Sequence, residues 1–308
     1  MPSGPTTGPR RSRISPEPPP SGDGTIEAWL RWGKKALSAL EDPEREARLL
    51  MSALLASETA PWTRSREPLE KELVPRYEDW IKRRAAREPH HLITGEITFC
   101  GHSFFLAPGV LVPRPETEQL VELALRHTAA SQGREPLRIL DLGSGSGVIA
   151  LSFLLERPEA RAVAVEREPL ALATLLENRR RHHLVDRLAV VRGDWEEMFG
   201  ERPVFDCILS NPPYIPTDTI PTLEPEVRAY EPASALDGGA DGLDPYRKIL
   251  PRAFRLIREG GLIALEIGDD MGDPALFSTM TGKTGGATPL PTIIRDISGR
   301  HRIVFWTG

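Results

Sequence analysis

Cysteine is nearly absent: Cys100 and Cys207 are the only two in 308 residues, and they show no metal-ligand spacing. A disulfide framework and a cysteine zinc site are therefore excluded. Cys207 falls inside the apolar run FDCIL, where a buried free thiol is expected, so a reducing compartment suits the chain. No apolar run approaches the about 20 residues that cross a bilayer, so no membrane partner is expected. Positive charge is not in excess either. The 39 Lys and Arg face 44 Asp and Glu, and the formal net charge of −5 argues against a broad electrostatic grip on nucleic acid. A protein or a small molecule is the better partner. None of the seven histidines stands in an HExxH pattern or an evident nucleophile arrangement, so no metal is expected.

Large apolar residues are also scarce at the start. Residues 1–24, MPSGPTTGPRRSRISPEPPPSGDG, contain seven prolines and are expected to form a disordered tail, because they cannot bury enough surface to offset chain entropy. Arg10, Arg11 and Arg13 give the tail the basic cluster of an organellar transit peptide, but the prolines break any amphipathic helix. The cytoplasm is the expected location, with an organellar matrix as the alternative.

The rest has an ordinary globular balance, 40% hydrophobic and 27% charged, and its length suggests a large domain with a smaller companion. From 25 to about 90 the apolar residues Ile26, Trp29, Leu30, Leu37, Leu40, then Leu49, Leu50, Ala53, Leu54, then Leu69, Leu73, Tyr77, Trp80, Ile81 recur at helical spacing. Residues 93–113, ITGEITFCGHSFFLAPGVLVP, read as a hairpin turning at Cys100-Gly101-His102 and linking the two domains. From 138 onward strand-like and helical runs alternate, the pattern of a parallel sheet with helices on both faces. The runs around Ser298-Gly299 predict a closing β-hairpin. Arg179, Arg180, Arg181, His182 and His183 read as a solvated helix face.

The stretch ILDLGSGSGVIAL at 139–151 places Gly143, Gly145 and Gly147 between a strand and a helix. Alternate glycines allow a sharp turn and close approach to a ligand. The dinucleotide GxGxxG pattern would need its last glycine at Val148, and no P-loop Gly-Lys-Ser/Thr follows, so a pyrophosphate is not the ligand. Asp141 adds a carboxylate suited to ammonium and sulfonium charges, which points to S-adenosylmethionine. Glu166, at the end of the next strand, is placed for ribose hydroxyls. Asp194 is placed to accept from an adenine amino group, and Trp195 to cover the base.

The seven residues SNPPYIP at 210–216 end another apolar run and face the same crevice, outside the carboxyl ends of the strands. Asn211 Oδ1 and the Pro212 carbonyl can accept both N–H groups of a planar nitrogen, presenting its lone pair to a methyl carbon. Tyr214 can stack on the planar group, while Pro212 and Pro213 stiffen the loop and remove competing donors.

This pairing of motifs resembles methyltransferases acting on exocyclic nucleobase amines and those acting on release factor glutamines. LVPRPETEQLVE at 111–122, PEVRAYEPASALDGGADGLDPYRKI at 225–249 and RDISGRHRIV at 295–304 resemble the release factor glutamine methyltransferase family. The resemblance implies a class I S-adenosylmethionine-dependent methyltransferase fold, an α/β Rossmann-like and mostly parallel sheet with a C-terminal hairpin, plus a small N-terminal helical domain. The implied domains are a tail at 1–24, a helical docking domain at 25–92, the hairpin linker at 93–113 and the catalytic domain at 114–308. It implies donor-binding positions at Asp141, Leu142, Gly143, Ser144, Gly145, Glu166, Trp195 and Asn211, and a substrate motif at Asn211, Pro212, Pro213 and Tyr214. Asn211, Pro212 and Tyr214 are the catalytic candidates. The implied substrate is the glutamine of the Gly-Gly-Gln tip of peptide chain release factors, methylated at N5, with no direct nucleic-acid contact. RPETE at 114–118 is expected to border the cleft. Glu166 departs from the more frequent Asp, and 269–291 departs from the family's helix and strand pattern. The alternatives are a nucleobase amino-methyltransferase, which would want a basic face, and a catalytically inactive donor-binding protein, which Asp141, Gly143, Gly145 and Asn211 disfavour.

Overall fold

The structure, a computed structural model, describes residues 18–20, 24–129, 136–195, 202–281 and 290–307. Most of the expected tail and residues 282–289 of the divergent stretch lie outside the described residues. The chain divides into two compact units, the first ending at Thr94 and the second beginning at Gly95.

The first unit consists of α1 (Ile26–Ala36), α2 (Pro43–Leu54), α3 (Ala60–Thr63), α4 (Val74–Ala85) and α5 (His90–Thr94). Its starts are written locally: the Thr25 side chain accepts from Ala28 N at 3.3 Å, and Asp42 accepts from Arg45 N at 3.0 Å ahead of Pro43. Ile26, Trp29, Leu50, Met51, Tyr77 and Ile81 form the core. On α2 the buried face runs through Ala47, Leu50, Met51 and Leu54, while Leu49 is half-buried and Ala53 exposed. The expected stripe was thus one position off at two residues, because two overlapping apolar stripes fit the same helical period. Gly33 lets α1 and α4 approach: a Cβ there would lie 2.8 Å from the Tyr77 hydroxyl, which donates to Ala47 O at 3.1 Å.

The second unit opens with the hairpin of β1 (Glu96–Phe99) and β2 (His102–Phe105), turned by Cys100 and Gly101, both at positive φ. That pair of left-handed residues is what a two-residue hairpin demands. The hairpin belongs to this unit. Asn178 accepts from Phe105 N at 2.7 Å and donates to Phe105 O at 2.9 Å, and His182 Nε2 lies 2.9 Å from Ser103 O. Part of the basic run therefore docks the hairpin, with Arg181 stacked on Phe105, while Arg180 and Arg181 also pair with Glu177.

A 3-10 turn (Pro115–Thr117) leads into α6 (Glu118–Ala129), and the sheet follows: β3 (Arg138–Leu142), α7 (Val148–Glu156), β4 (Arg161–Glu166), α8 (Pro169–Arg181), β5 (Leu188–Arg192) and β6 (Phe205–Ser210). After α9 (Pro225–Tyr230) and α10 (Asp244–Leu256) come β7 (Ile257–Glu266), α11 (Ala275–Ser278), β8 (Thr292–Arg295) and β9 (His301–Thr307). The sheet order is β5-β4-β3-β6-β7-β9-β8, parallel from β5 to β7 and antiparallel through β9 and β8. β6 is buried along its whole length, and α7 is buried from Val148 to Leu154, as expected of elements enclosed on both sides. Chain order reverses beside β3, so the carboxyl ends of β3, β4 and β6 open on one crevice.

Candidate active site

The loop after β3 is built on glycine. Gly143, Gly145 and Gly147 have φ of +69°, +56° and +85°, a region that L side chains enter only at a cost. Gly143 N and Ser144 N both donate to Val165 O at the end of β4, and Ser144 Oγ donates to Asp141 O at 2.9 Å. A Cβ on Gly143 would lie 3.3 Å from Trp195 Nε1, whereas one on Gly145 would meet nothing within 4 Å. Trp195 therefore lies against the first glycine, and the second faces open space.

That space is a cavity of about 270 Å³, close to the lower end of the range for ligand pockets. Its wall includes Gly143, Gly145, Glu166, Trp195, Asn211 and Pro213. Asp141, Leu142 and Ser144 sit beneath the loop, fully or almost fully buried. Asp194 does not line the cavity; it accepts from Trp195 N at 2.8 Å and lies 3.4 Å from Arg167 Nη1. Pro212 and Tyr214 face a second cavity of about 140 Å³, which shares Leu111, Asn211, Pro213 and Ala235 with the first. The two spaces meet at the asparagine and the second proline.

The carboxylates meet different environments. Asp141 Oδ2 accepts from Ala150 N at 3.2 Å, but its buried Oδ1 has no hydrogen-bond partner. Burial, helped by the charge of Glu166, pushes the Asp141 carboxyl up to about 7. Glu166 instead folds back on the backbone: Oε2 accepts from Gly145 N at 2.7 Å, and Oε1 from Arg167 N and Glu168 N at 2.8 Å. Glu166 thereby ties the glycine loop to the two residues just ahead of α8. A carboxylate offers about four acceptor sites, so one is left for a ligand hydroxyl.

The contacts that join these segments carried no local signal. Asn211 Nδ2 donates to Thr117 Oγ1 at 3.1 Å, Thr117 donates to Glu266 Oε2 at 2.6 Å, and the Tyr214 hydroxyl donates to Glu266 Oε1 at 3.2 Å. Glu266 is fully buried at the end of β7, and burial raises its carboxyl above the usual range, with the hydrogen bond from Thr117 and the charge of Arg302 opposing. Tyr214 is likewise raised, by burial first and Glu266 second. Arg114 Nη2 donates to both oxygens of buried Glu231 at 2.7 and 2.8 Å and lines the second cavity. RPETE thus enters the site through Arg114 and Thr117. Gly238 and Gly242 underlie the proline loop: a Cβ on Gly242 would stand 2.5 Å from Tyr214 O. Among the described residues no group of three or more His, Cys, Asp or Glu could hold a metal, and no helix is long and apolar enough to cross a membrane.

Two family descriptions match the chain: "PrmC N-terminal domain" over residues 28–95 and "Methyltransferase small domain" over residues 121–221. A release factor glutamine methyltransferase of Caulobacter vibrioides is 39% identical over 283 residues, covering 91% of this chain and 94% of its own. The chain belongs to the release factor glutamine methyltransferase family. The corresponding Geobacter sulfurreducens protein is 40% identical over 85% of this chain and 89% of its own, and the human MTRF1L release factor glutamine methyltransferase is 34% identical over 98% and 93%. The catalytic domain of human Mettl16, solved with the MAT2A 3'UTR hairpin 6, matches with a TM-score of 0.53 at 14% identity over 74% of this chain and 81% of that one. That likeness confirms the class I methyltransferase fold and moves no substrate to this family member. The cavity fits the family's chemistry: a lone buried carboxylate oxygen on Asp141, the glycine facing open space and the Glu166 carboxylate suit a cationic ligand such as S-adenosylmethionine.

Proposed function

We propose that this enzyme transfers the methyl group of S-adenosylmethionine to the side-chain amide nitrogen, N5, of the glutamine in the Gly-Gly-Gln motif of peptide chain release factors. The observation that supports this reading most is the meeting of two cavities at Asn211 and Pro213. The larger has the glycine loop and carboxylates of a donor site; the smaller is mostly apolar, with Arg114 in its wall, and lies beside Tyr214.

The donor supplies an electrophilic methyl carbon on a positively charged sulfur. The chain's own residues do the rest. Gly143 and Gly145 keep the loop clear of side chains, Leu142 and Ser144 hold it to β4, Asp141 places negative charge beneath it, and Glu166 offers its remaining acceptor site to ribose. Trp195 covers the base, and Asp194, which lies outside the cavity, fixes the Trp195 backbone. An amide nitrogen is a poor nucleophile because its lone pair is delocalised into the carbonyl. Asn211 Oδ1 and the Pro212 carbonyl engage its N–H groups, turning the nitrogen toward the methyl carbon at a near-attack separation of about 3–3.5 Å. A nitrogen–carbon bond forms as the sulfur–carbon bond breaks, and one N–H proton leaves to water. Pro213 stiffens this loop, and Tyr214 packs along the amide plane.

The helical unit, placed at 25–92 by its sequence, docks the body of the release factor, with 93–113 leading into the catalytic part at 114–308. The enzyme works on protein, without direct nucleic-acid contact, in the cytoplasm. Incubation with methyl-labelled donor and purified release factor, followed by peptide mapping, tests the reading: the label is expected on the Gly-Gly-Gln glutamine. Label on DNA or RNA with none on the factor would sink it.

A further inference from the structure

Thr117, Asn211, Tyr214 and Glu266 come from three separate segments, and the hydrogens between them can be counted. Burial works against ionisation of Glu266, but the charge of Arg302 and the two hydroxyls favour the carboxylate, which accepts from Thr117 at 2.6 Å and from Tyr214 at 3.2 Å and has no hydrogen to give. A threonine hydroxyl has one hydrogen. With it committed to Glu266, Thr117 Oγ1 is only an acceptor toward Asn211, 3.1 Å away, and Asn211 must present Nδ2 to it. The amide oxygen then stands on the opposite edge. Thr117 is 2% exposed and Glu266 0%, so water does not compete for the bond between them.

We propose that Thr117 and Glu266 are positioning residues which fix the polarity of the Asn211 amide, holding Nδ2 so that Oδ1 is the atom offered to the substrate. The inference rests on the reading of Asn211 as the residue that meets the acceptor amide. Its consequence is a chemical selection. An unsubstituted carboxamide, which brings N–H donors to Oδ1, is accepted; a carboxylate of the same shape, which brings only acceptors, is refused. With the relay removed, the Asn211 amide is free to turn over, and half of the selection is lost because an amide and its flipped form fill the same space.

Three substitutions separate the hydroxyl from the packing. Thr117→Val keeps the shape and removes the hydroxyl, Thr117→Ala removes it without the second methyl, and Thr117→Ser keeps it. Single-turnover methyl transfer is measured at saturating release factor, at a temperature where each variant is folded by circular dichroism. Val and Ala are expected to slow transfer by about tenfold or more through misorientation, and Ser to stay near the wild-type rate. Because Asn211 also walls the donor cavity, donor affinity is expected to change far less than the transfer rate in all three. The second readout needs no turnover: in protein labelled with ¹⁵N at asparagine, one Nδ2 proton of Asn211 should exchange slowly in wild type and Ser, and rapidly in Val and Ala. A wild-type rate in Val or Ala overturns the proposal. So do Ser as slow as Val, or an Asn211 resonance indifferent to the hydroxyl. If wild type leaves release factor glutamine unlabelled, the reading of the reaction falls, and the asparagine resonance still decides whether the relay exists.

Discussion

Gly145 is the residue on which donor binding turns most directly, because a side chain there would enter the cavity from a backbone at φ +56°. Gly145→Asp is expected to abolish S-adenosylmethionine binding while leaving a folded protein, and calorimetry checks it; unchanged affinity would mean the loop serves another purpose. Asp141 makes a prediction about pH. Burial raises its carboxyl from the ordinary 3.8 to about 7, so its contribution to stability is present at low pH and declines as pH rises through that window. A bound cation favours the ionised form, so below about 7 the donor must displace a proton on binding. Affinity is therefore expected to fall by up to about tenfold per pH unit below that point, and to flatten in Asp141→Asn. Titration calorimetry at several pH values tests both. The glycines, Asp141, Glu166 and Asn211 could be picked out of the sequence because each sits at the end of an apolar run beside turn residues. Glu266 could not, and Thr117 stood out only as part of RPETE, whose contacts the sequence left open. Their hydrogen bonds to one another and to Asn211 span 149 and 94 positions of chain, and no local period encodes a contact of that length.

The elements were readable where burial imposes a period, and least so where one element is shaped by another's backbone. Alternating strands and helices from β3 to β7 and the closing hairpin of β8 and β9 follow directly from runs such as ILDL and FDCIL. The loop at 237–243 does not, because its glycines answer to Tyr214: Ile215 N donates to Leu236 O and Gly238 N to Ile215 O, seating the proline loop on a short backbone ladder. Gly242→Ala puts a carbon 2.5 Å from Tyr214 O at φ +75°, whereas Gly101→Ala, at φ +76°, puts one in open space. The second substitution should cost about 1–2 kcal/mol of backbone strain alone. The first should cost more and also lower turnover, since the displaced atom belongs to the catalytic loop. Thermal melts and methyl-transfer rates of the pair check this; equal effects would mean that the contact with Tyr214 is unimportant.

At the scale of the whole molecule, two units have separate cores. One core gathers Trp29, Leu50 and Tyr77, and the other Tyr246, Ile263 and Phe277. A Gly-Gly-Gln tip offers little surface, so binding energy from the body of the release factor must be recruited elsewhere. Removal of residues 1–94 is expected to leave a folded unit that binds S-adenosylmethionine and methylates a short Gly-Gly-Gln peptide as before, but whole release factor much more slowly. Peptide and protein slowed alike would assign the helices a supporting role in the catalytic fold. The wall that the two cavities share has a consequence of its own. Asn211 and Pro213 touch both spaces, and any linkage between the free energies of filling them is symmetric at equilibrium. By whatever factor S-adenosylmethionine tightens the grip on a release factor, that release factor tightens the grip on S-adenosylmethionine, and an inert analogue placed in either space reports the affinity of the other.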